Sequence, residues 1–228
     1  MKHLYWLFVA ALAITLFGFW PSFFHDPGQL DPWRMTHGIF ATAWMVLLIA
    51  QAWLIGHRRW SWHRWLGRAS ILILPPLLIT SGHAIYTMLH AGPEGLPRDL
   101  RLTLAYIDMT SLALFVVCYG LAIVYRRNRV VHGGLMGSTA LIALIPALGR
   151  AFAHNVPSLH GLSGALDPSF RVVVGVLFIL WIKQLVRRRP PGPYPALIAA
   201  FIGIQLTMRA APHWEAFVAV ARIWGFQG

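Results

Sequence analysis

The chain is poor in charge and in the residues that carry covalent or carboxylate chemistry. A single cysteine, Cys118, stands among 228 residues, which excludes an intramolecular disulfide, a thiolate metal site and a C-x-x-C-H haem attachment. Lys2 and Lys183 are the only lysines. Neither falls in the last apolar stretch, so a retinal Schiff base is excluded. The only glutamates, Glu94 and Glu215, lie outside the apolar stretches, which removes a carboxylate-rich di-iron bundle. Paired H-x-x-H and H-x-x-x-H boxes are absent. Charged residues amount to 11%, against about a quarter in soluble domains.

What the chain has is apolar surface. Hydrophobic residues make up 57%, more than a soluble globule of this length can hide from water. The sequence predicts an all-α, polytopic membrane protein. Stretches of about 20 mostly apolar residues match the thickness of a bilayer core. Seven are found, at 4–24, 34–56, 67–90, 101–125, 133–154, 169–187 and 193–211. Turn chemistry separates them at Asp26-Pro27-Gly28, Ala91-Gly92-Pro93, Asp167-Pro168 and Pro190-Pro191-Gly192-Pro193. No low-complexity linker marks a second domain. The first stretch is followed by Pro21, Phe23 and Phe24 rather than by a small-residue cleavage site, so it reads as a retained span. Residues 213–228 place Trp214, Phe217, Val218, Ala221 and Trp224 at helical spacing. They read as an amphipathic tail lying in the interface or as a continuation of the last span.

The net charge of +12 would point to nucleic acid in a soluble chain. Here placement decides. Lys2, Arg58, Arg59, Arg64, Arg68, Arg126, Arg127, Arg129, Lys183, Arg187, Arg188 and Arg189 share one side of the seven-span layout. Arg34, Arg98, Arg101, Arg150, Arg171, Arg209 and Arg222 share the other. The more basic loops face the cytoplasm, giving N-in, C-out. The excess charge is a topology signal and a match to anionic headgroups; nucleic acid is not an expected partner.

The middle of the chain repeats itself. Arg58-Arg59 precede His63, with Pro75-Pro76 further along; Arg126-Arg127 precede His132, with Pro146 further along. This pattern predicts two copies of an antiparallel hairpin forming a four-helix core over 34–154, flanked by 1–24 and 169–211. His63 and His132 would then face each other at the cytoplasmic end, either as ligands or as ordinary interfacial histidines.

Inside the outer third lie polar groups that are costly in hydrocarbon and mark sites or ion-pair networks. His37, Trp44 and Gln51 share one face of the second helix, and Thr80, His83, Thr87 and His90 one face of the third. Asp108, Arg150, His154, Gln205 and Arg209 complete the set. Asp108 would pair with Arg150 or Arg209. Gly161-Leu162-Ser163-Gly164 resembles the rhomboid protease motif, but is read as part of an outer loop rather than the start of a helix.

Three functions fit. In the first, haem b or a transition metal is bound in the four-helix core and serves membrane redox chemistry with a redox partner. Imidazole suits iron, copper and zinc, and glycines at 38, 82, 133 and 134 leave room beside the histidines. His37 and His83, or His154, would be the outer axial or metal ligands, and His63 with His132 the inner pair. Asp108 or Arg150 would set imidazole protonation or hold a propionate. In the second, His83, Asp108, Arg150 and Trp44 line an outward-facing pocket for a carrier or sensor. In the third, the chain is an accessory or assembly subunit, and the polar network fixes only helix packing.

The motifs His37-Gly38-x-x-Ala41-x-x-Trp44, His63-Arg64-x-Leu66-Gly67-Arg68, His132-x-x-Leu135-Met136 and Pro146-Ala147-x-x-Arg150 together resemble a family of uncharacterised bacterial multi-pass inner-membrane proteins. The resemblance covers residues 34–150. It implies a helical bundle in the bacterial inner membrane and places His37, His63, His132 and Arg150 at recurring positions. The layout is also loosely similar to dihaem cytochromes b, without their ligand spacing. Gly133 and Gly134 depart from the basic residue usual after the family's third histidine.

Overall fold

The structure is a computed structural model that describes residues 5–24, 31–91 and 95–226. The expected turns at Asp26-Pro27-Gly28 and Gly92-Pro93, and Lys2, lie outside the described residues. Eight α-helices form among the described residues, and no strand does. They are α1 (Tyr5–Phe19), α2 (Pro32–Gly56), α3 (Trp60–His90), α4 (Arg98–Val124), α5 (Arg129–Asn155), α6 (Leu162–Val186), α7 (Tyr194–Thr207) and α8 (Glu215–Ile223). Helices α2 to α6 are long and apolar enough to cross a membrane; α1 and α7 are shorter apolar helices. A π-helical turn over Trp20–Phe24 extends α1.

Local chemistry sets the helix starts. Asp31 caps α2, its carboxylate accepting from the backbone N–H groups of Trp33 and Arg34 at 3.0 Å each, and Pro32 occupies the first helical position, where no N–H is needed. Asn128 caps α5 in the same way. These caps place Arg129 and His132 inside α5, four residues before the apolar stretch begins. Helix α3 likewise starts at Trp60 rather than 67, because Trp60 to Leu66 continue the turn before the hydrocarbon-length run.

The chain runs up and down. Arg129 stacks over the Trp60 ring at 5.3 Å, and Val130 on α5 lies beside Gly192 in the α6–α7 turn. The α2–α3, α4–α5 and α6–α7 turns thus share one end. At the opposite end, Arg150 lies over the Phe19 ring at 4.5 Å, and Arg209, in the turn after α7, reaches Asp167 on α6.

Helices α2 to α5 pack in sequence around a core in which Trp44, Met45, Cys118 and Ile145 are almost fully buried. Helix α1 packs along α5 and also against α2, so α5 is the central helix, touching α1, α4 and α6. Gly18 permits this: a Cβ there would collide with the backbone of Ala147. Asp167-Pro168 does not break the chain, since α6 runs through it from Leu162. The Gly161–Gly164 motif opens that helix with Gly161 as its N-cap, contrary to the expected loop. Helix α8 is separated from α7 by a 3-10 turn at Ala211–His213 and buries Val218 and Ala221 with Ile85, Leu89, Leu102 and Ala105. It is a distinct amphipathic element rather than a continuation of the span. Gly225 closes it with φ 96°, and a Cβ there would strike the His90 ring.

Candidate functional site

Two polar clusters form in the α1–α5 bundle, one near each end. At the basic end, His63 in the first turn of α3 and His132 in the first turn of α5 face each other. Their ring centroids are 6.4 Å apart and their planes perpendicular, at 89°. The Nδ1 of His132 lies 2.8 Å from the Ala122 carbonyl. A carbonyl only accepts, so Nδ1 carries the proton and Nε2 keeps its lone pair. The Nδ1 of His63 is buried and has no hydrogen-bond partner among the described residues. The side-chain N–H of Gln51 on α2 donates to the His63 carbonyl at 3.2 Å, which fixes the start of α3 against α2. Gly133, beside His132, has open space where a Cβ would stand.

The second cluster lies near the opposite end. His37 on α2 sits 3.3 Å from Thr80 Oγ1 and 3.5 Å from Ser81 Oγ on α3. Both hydroxyls already donate to helix carbonyls, Thr80 to Pro76 and Ser81 to Leu77, at 2.7 Å each. Their remaining capacity is to accept, so the His37 Nδ1 carries the proton. Arg150 on α5 is within electrostatic range of His37 and of Asp108 on α4. All three side chains are half-buried. Arg150 donates to the Pro146 carbonyl at 3.2 Å and covers Phe19. Asp108 closes no ion pair within 4.0 Å among the described residues.

Between the clusters, hydrogen bonds tie the four helices at mid-depth. The indole N–H of Trp44 donates to Thr139 Oγ1 at 3.1 Å, and the Trp44 ring meets Phe115 and Tyr119. Ser70 donates to the Gly67 carbonyl at 2.6 Å, so the Tyr119 hydroxyl donates to Ser70 at 2.9 Å.

The remaining expected site residues lie elsewhere. His83 stacks on Trp33 at 4.3 Å and borders a surface cavity of about 420 Å³ with Gly82, Tyr86 and Trp224. His154 is exposed at the end of α5. Arg209 pairs with Asp167, at 2.6 Å, and not with Asp108; Gln205 also donates to Asp167. Reading Asp167-Pro168 as a turn concealed this pair, whose sequence signal is Gln205 and Arg209 one helical turn apart. Ser163, in the G-x-S-G match, is exposed, and its carbonyl accepts from Arg209 at 3.3 Å. Ser70, Ser81, Tyr119 and Thr139 were not singled out in the sequence, because small hydroxyls on apolar helices are common.

Among the described residues, no three of His, Cys, Asp and Glu converge as a metal site. The chain matches no known protein family, no curated protein and no solved structure.

Proposed function

We propose that the chain is a haem b protein of the bacterial inner membrane, with seven spans and the N-terminus inside, and that His63 and His132 would hold the haem. The observation that carries this reading is the facing pair itself. Their rings, with centroids 6.4 Å apart and planes perpendicular, would hold the group between the starts of α3 and α5. The donor set favours haem over a bare ion, which takes three or four protein ligands, whereas haem brings its own four nitrogens and needs at most two from the protein. The His132 Nδ1–H bond to Ala122 is the outer-shell bond that orients a ligating imidazole. The buried, unpartnered His63 nitrogen and the open space at Gly133 fit a ligand between α3 and α5. When bound, haem supplies one-electron transfer. The protein's part would be to hold the two rings and to orient one of them through the His132–Ala122 bond. The duplicated hairpin, with one histidine from each copy, belongs to this reading.

The test is the visible spectrum and iron content of the purified protein, oxidised and then reduced. A haem spectrum is expected that His63→Ala and His132→Ala each abolish and His213→Ala leaves unchanged. A colourless protein without iron overturns the proposal.

The second cluster favours a second reading, a small-molecule carrier or sensor opening to the outer face, because His37, Asp108 and Arg150 converge from three helices without a closed ion pair. Under it, Asp108→Asn leaves a folded protein that no longer takes up or responds to its solute. If Asp108→Asn prevents folding instead, the group is part of the packing, as in an accessory or assembly subunit.

A further inference from the structure

The two ends of the molecule differ in more than the number of cations. The five acidic residues among the described ones, Asp31, Asp99, Asp108, Asp167 and Glu215, all lie toward the end opposite the basic turns. The three ion pairs among the described residues, Arg34–Asp31, Arg98–Asp99 and Arg209–Asp167, are all at the acidic end. Arg58, Arg59, Arg64, Arg126, Arg127 and Arg129 are all exposed. Among the described residues, no carboxylate pairs with them.

Aromatic rings are interleaved with these cations. Trp62 and Trp65 are among the most exposed tryptophans, at 61% and 63%, and their rings meet edge to face at 6.1 Å. Trp60 is exposed on one side and carries the Arg129 guanidinium on its face. This contact holds the starts of α3 and α5 together, so arginines from two loops face one patch. The first turn of α3 has no side-chain cap, and its free N–H groups add to the positive field. Indole rings settle at the headgroup level of a bilayer, while guanidinium groups pair with phosphate through two parallel bonds.

We propose that the Trp60–Arg129 patch, with Trp62, Arg64 and Trp65, is a binding site for the phosphodiester headgroup of an anionic phospholipid. The site is separate from haem binding and does not depend on it. Each cation near an anionic membrane surface strengthens the attraction about fivefold, and a cluster drawn from two loops selects lipids with more than one phosphate.

The experiment adds lipid to the protein purified in neutral detergent and follows its melting temperature and the lipid retained, by native mass spectrometry. Anionic phosphatidylglycerol or a doubly charged diphosphatidyl lipid raises the melting temperature and stays bound, and zwitterionic phosphatidylcholine does neither. The double variant Arg64→Gln with Arg129→Gln loses most of the shift, while Arg222→Gln at the opposite end keeps it. An equal response to phosphatidylcholine overturns the proposal. So does a full shift in the Arg64 and Arg129 double variant. Inorganic phosphate reproducing the lipid's effect would assign the patch to a soluble anion instead and likewise overturn it. If the double variant fails to fold, Trp62→Ala, an exposed position, is read in its place, and undiminished retention of anionic lipid there counts against the site.

Discussion

A buried indole has one donor to satisfy, and at Trp44 it is satisfied across the bundle by Thr139. A hydrogen bond of this kind contributes about 0.5–1.5 kcal/mol net, and more is lost when one partner is left unpaired. Trp44→Phe should therefore lower stability by about 1–3 kcal/mol, with the Thr139 hydroxyl left to its bond with Met136. Thr139→Val should cost more than Trp44→Phe with Thr139→Val costs beyond Trp44→Phe alone, because the double variant removes both polar groups together. Unfolding of the three variants in one detergent measures this coupling; strict additivity would mean that the bond contributes nothing. The same scale explains which site residues were legible. His63 and His132 are readable because each follows an arginine-rich loop and precedes a proline by a similar distance. Arg209 was not, since a lone arginine near a helix end does not say which carboxylate lies across from it.

Helix α5 is the element on which the others depend, touching α1, α4 and α6. Its contact with α1 is backbone against backbone at Gly18 and Ala147, the small-residue approach that replaces a hydrophobic driving force inside a membrane. Gly18→Val should push α1 from α5 and lower the melting temperature by several degrees, whereas Gly120→Ala, where a Cβ meets nothing, should be neutral or slightly stabilising. Equal melting temperatures for Gly18→Val and the parent would show that α1 is peripheral after all. The apolar stretches in the sequence located every long helix, but not their starts or α1's place. Capping by Asp31 and Asn128, and the seven residues by which α3 precedes its apolar run, extend helices into the headgroup region where hydropathy no longer signals them. Pro168 misled in the opposite direction: proline punctuates water-exposed chains, yet it is tolerated within apolar helices, as at Pro75, Pro76 and Pro146.

At the scale of the whole molecule, charge sorts by end. The basic end holds most of the arginines and the facing histidines, and the acidic end holds the paired carboxylates and the His37–Asp108–Arg150 group. With the N-terminus inside, the three basic turns face the cytoplasm. In a background where Cys118→Ser removes the one native thiol, Asn128→Cys should resist a membrane-impermeant maleimide in intact cells, and Ser158→Cys should react. The reverse pattern would invert the proposed orientation without changing the fold. All-helical architecture and membrane class follow from composition and run length alone. The choice between ligand binding and packing does not, because imidazoles that bind iron and imidazoles that sit at a headgroup boundary follow the same sequence pattern and differ only in what they face.

The facing pair gives the most direct test. If His63 and His132, whose ring planes stand at 89°, hold a haem, the oxidised protein would give a strongly anisotropic low-spin ferric signal in electron paramagnetic resonance. The oxidised, purified protein should show that anisotropic signal, and His132→Ala should abolish it together with the haem spectrum. Absence of a haem signal from the parent protein, or a low-spin signal that survives loss of both His63 and His132, would contradict the account.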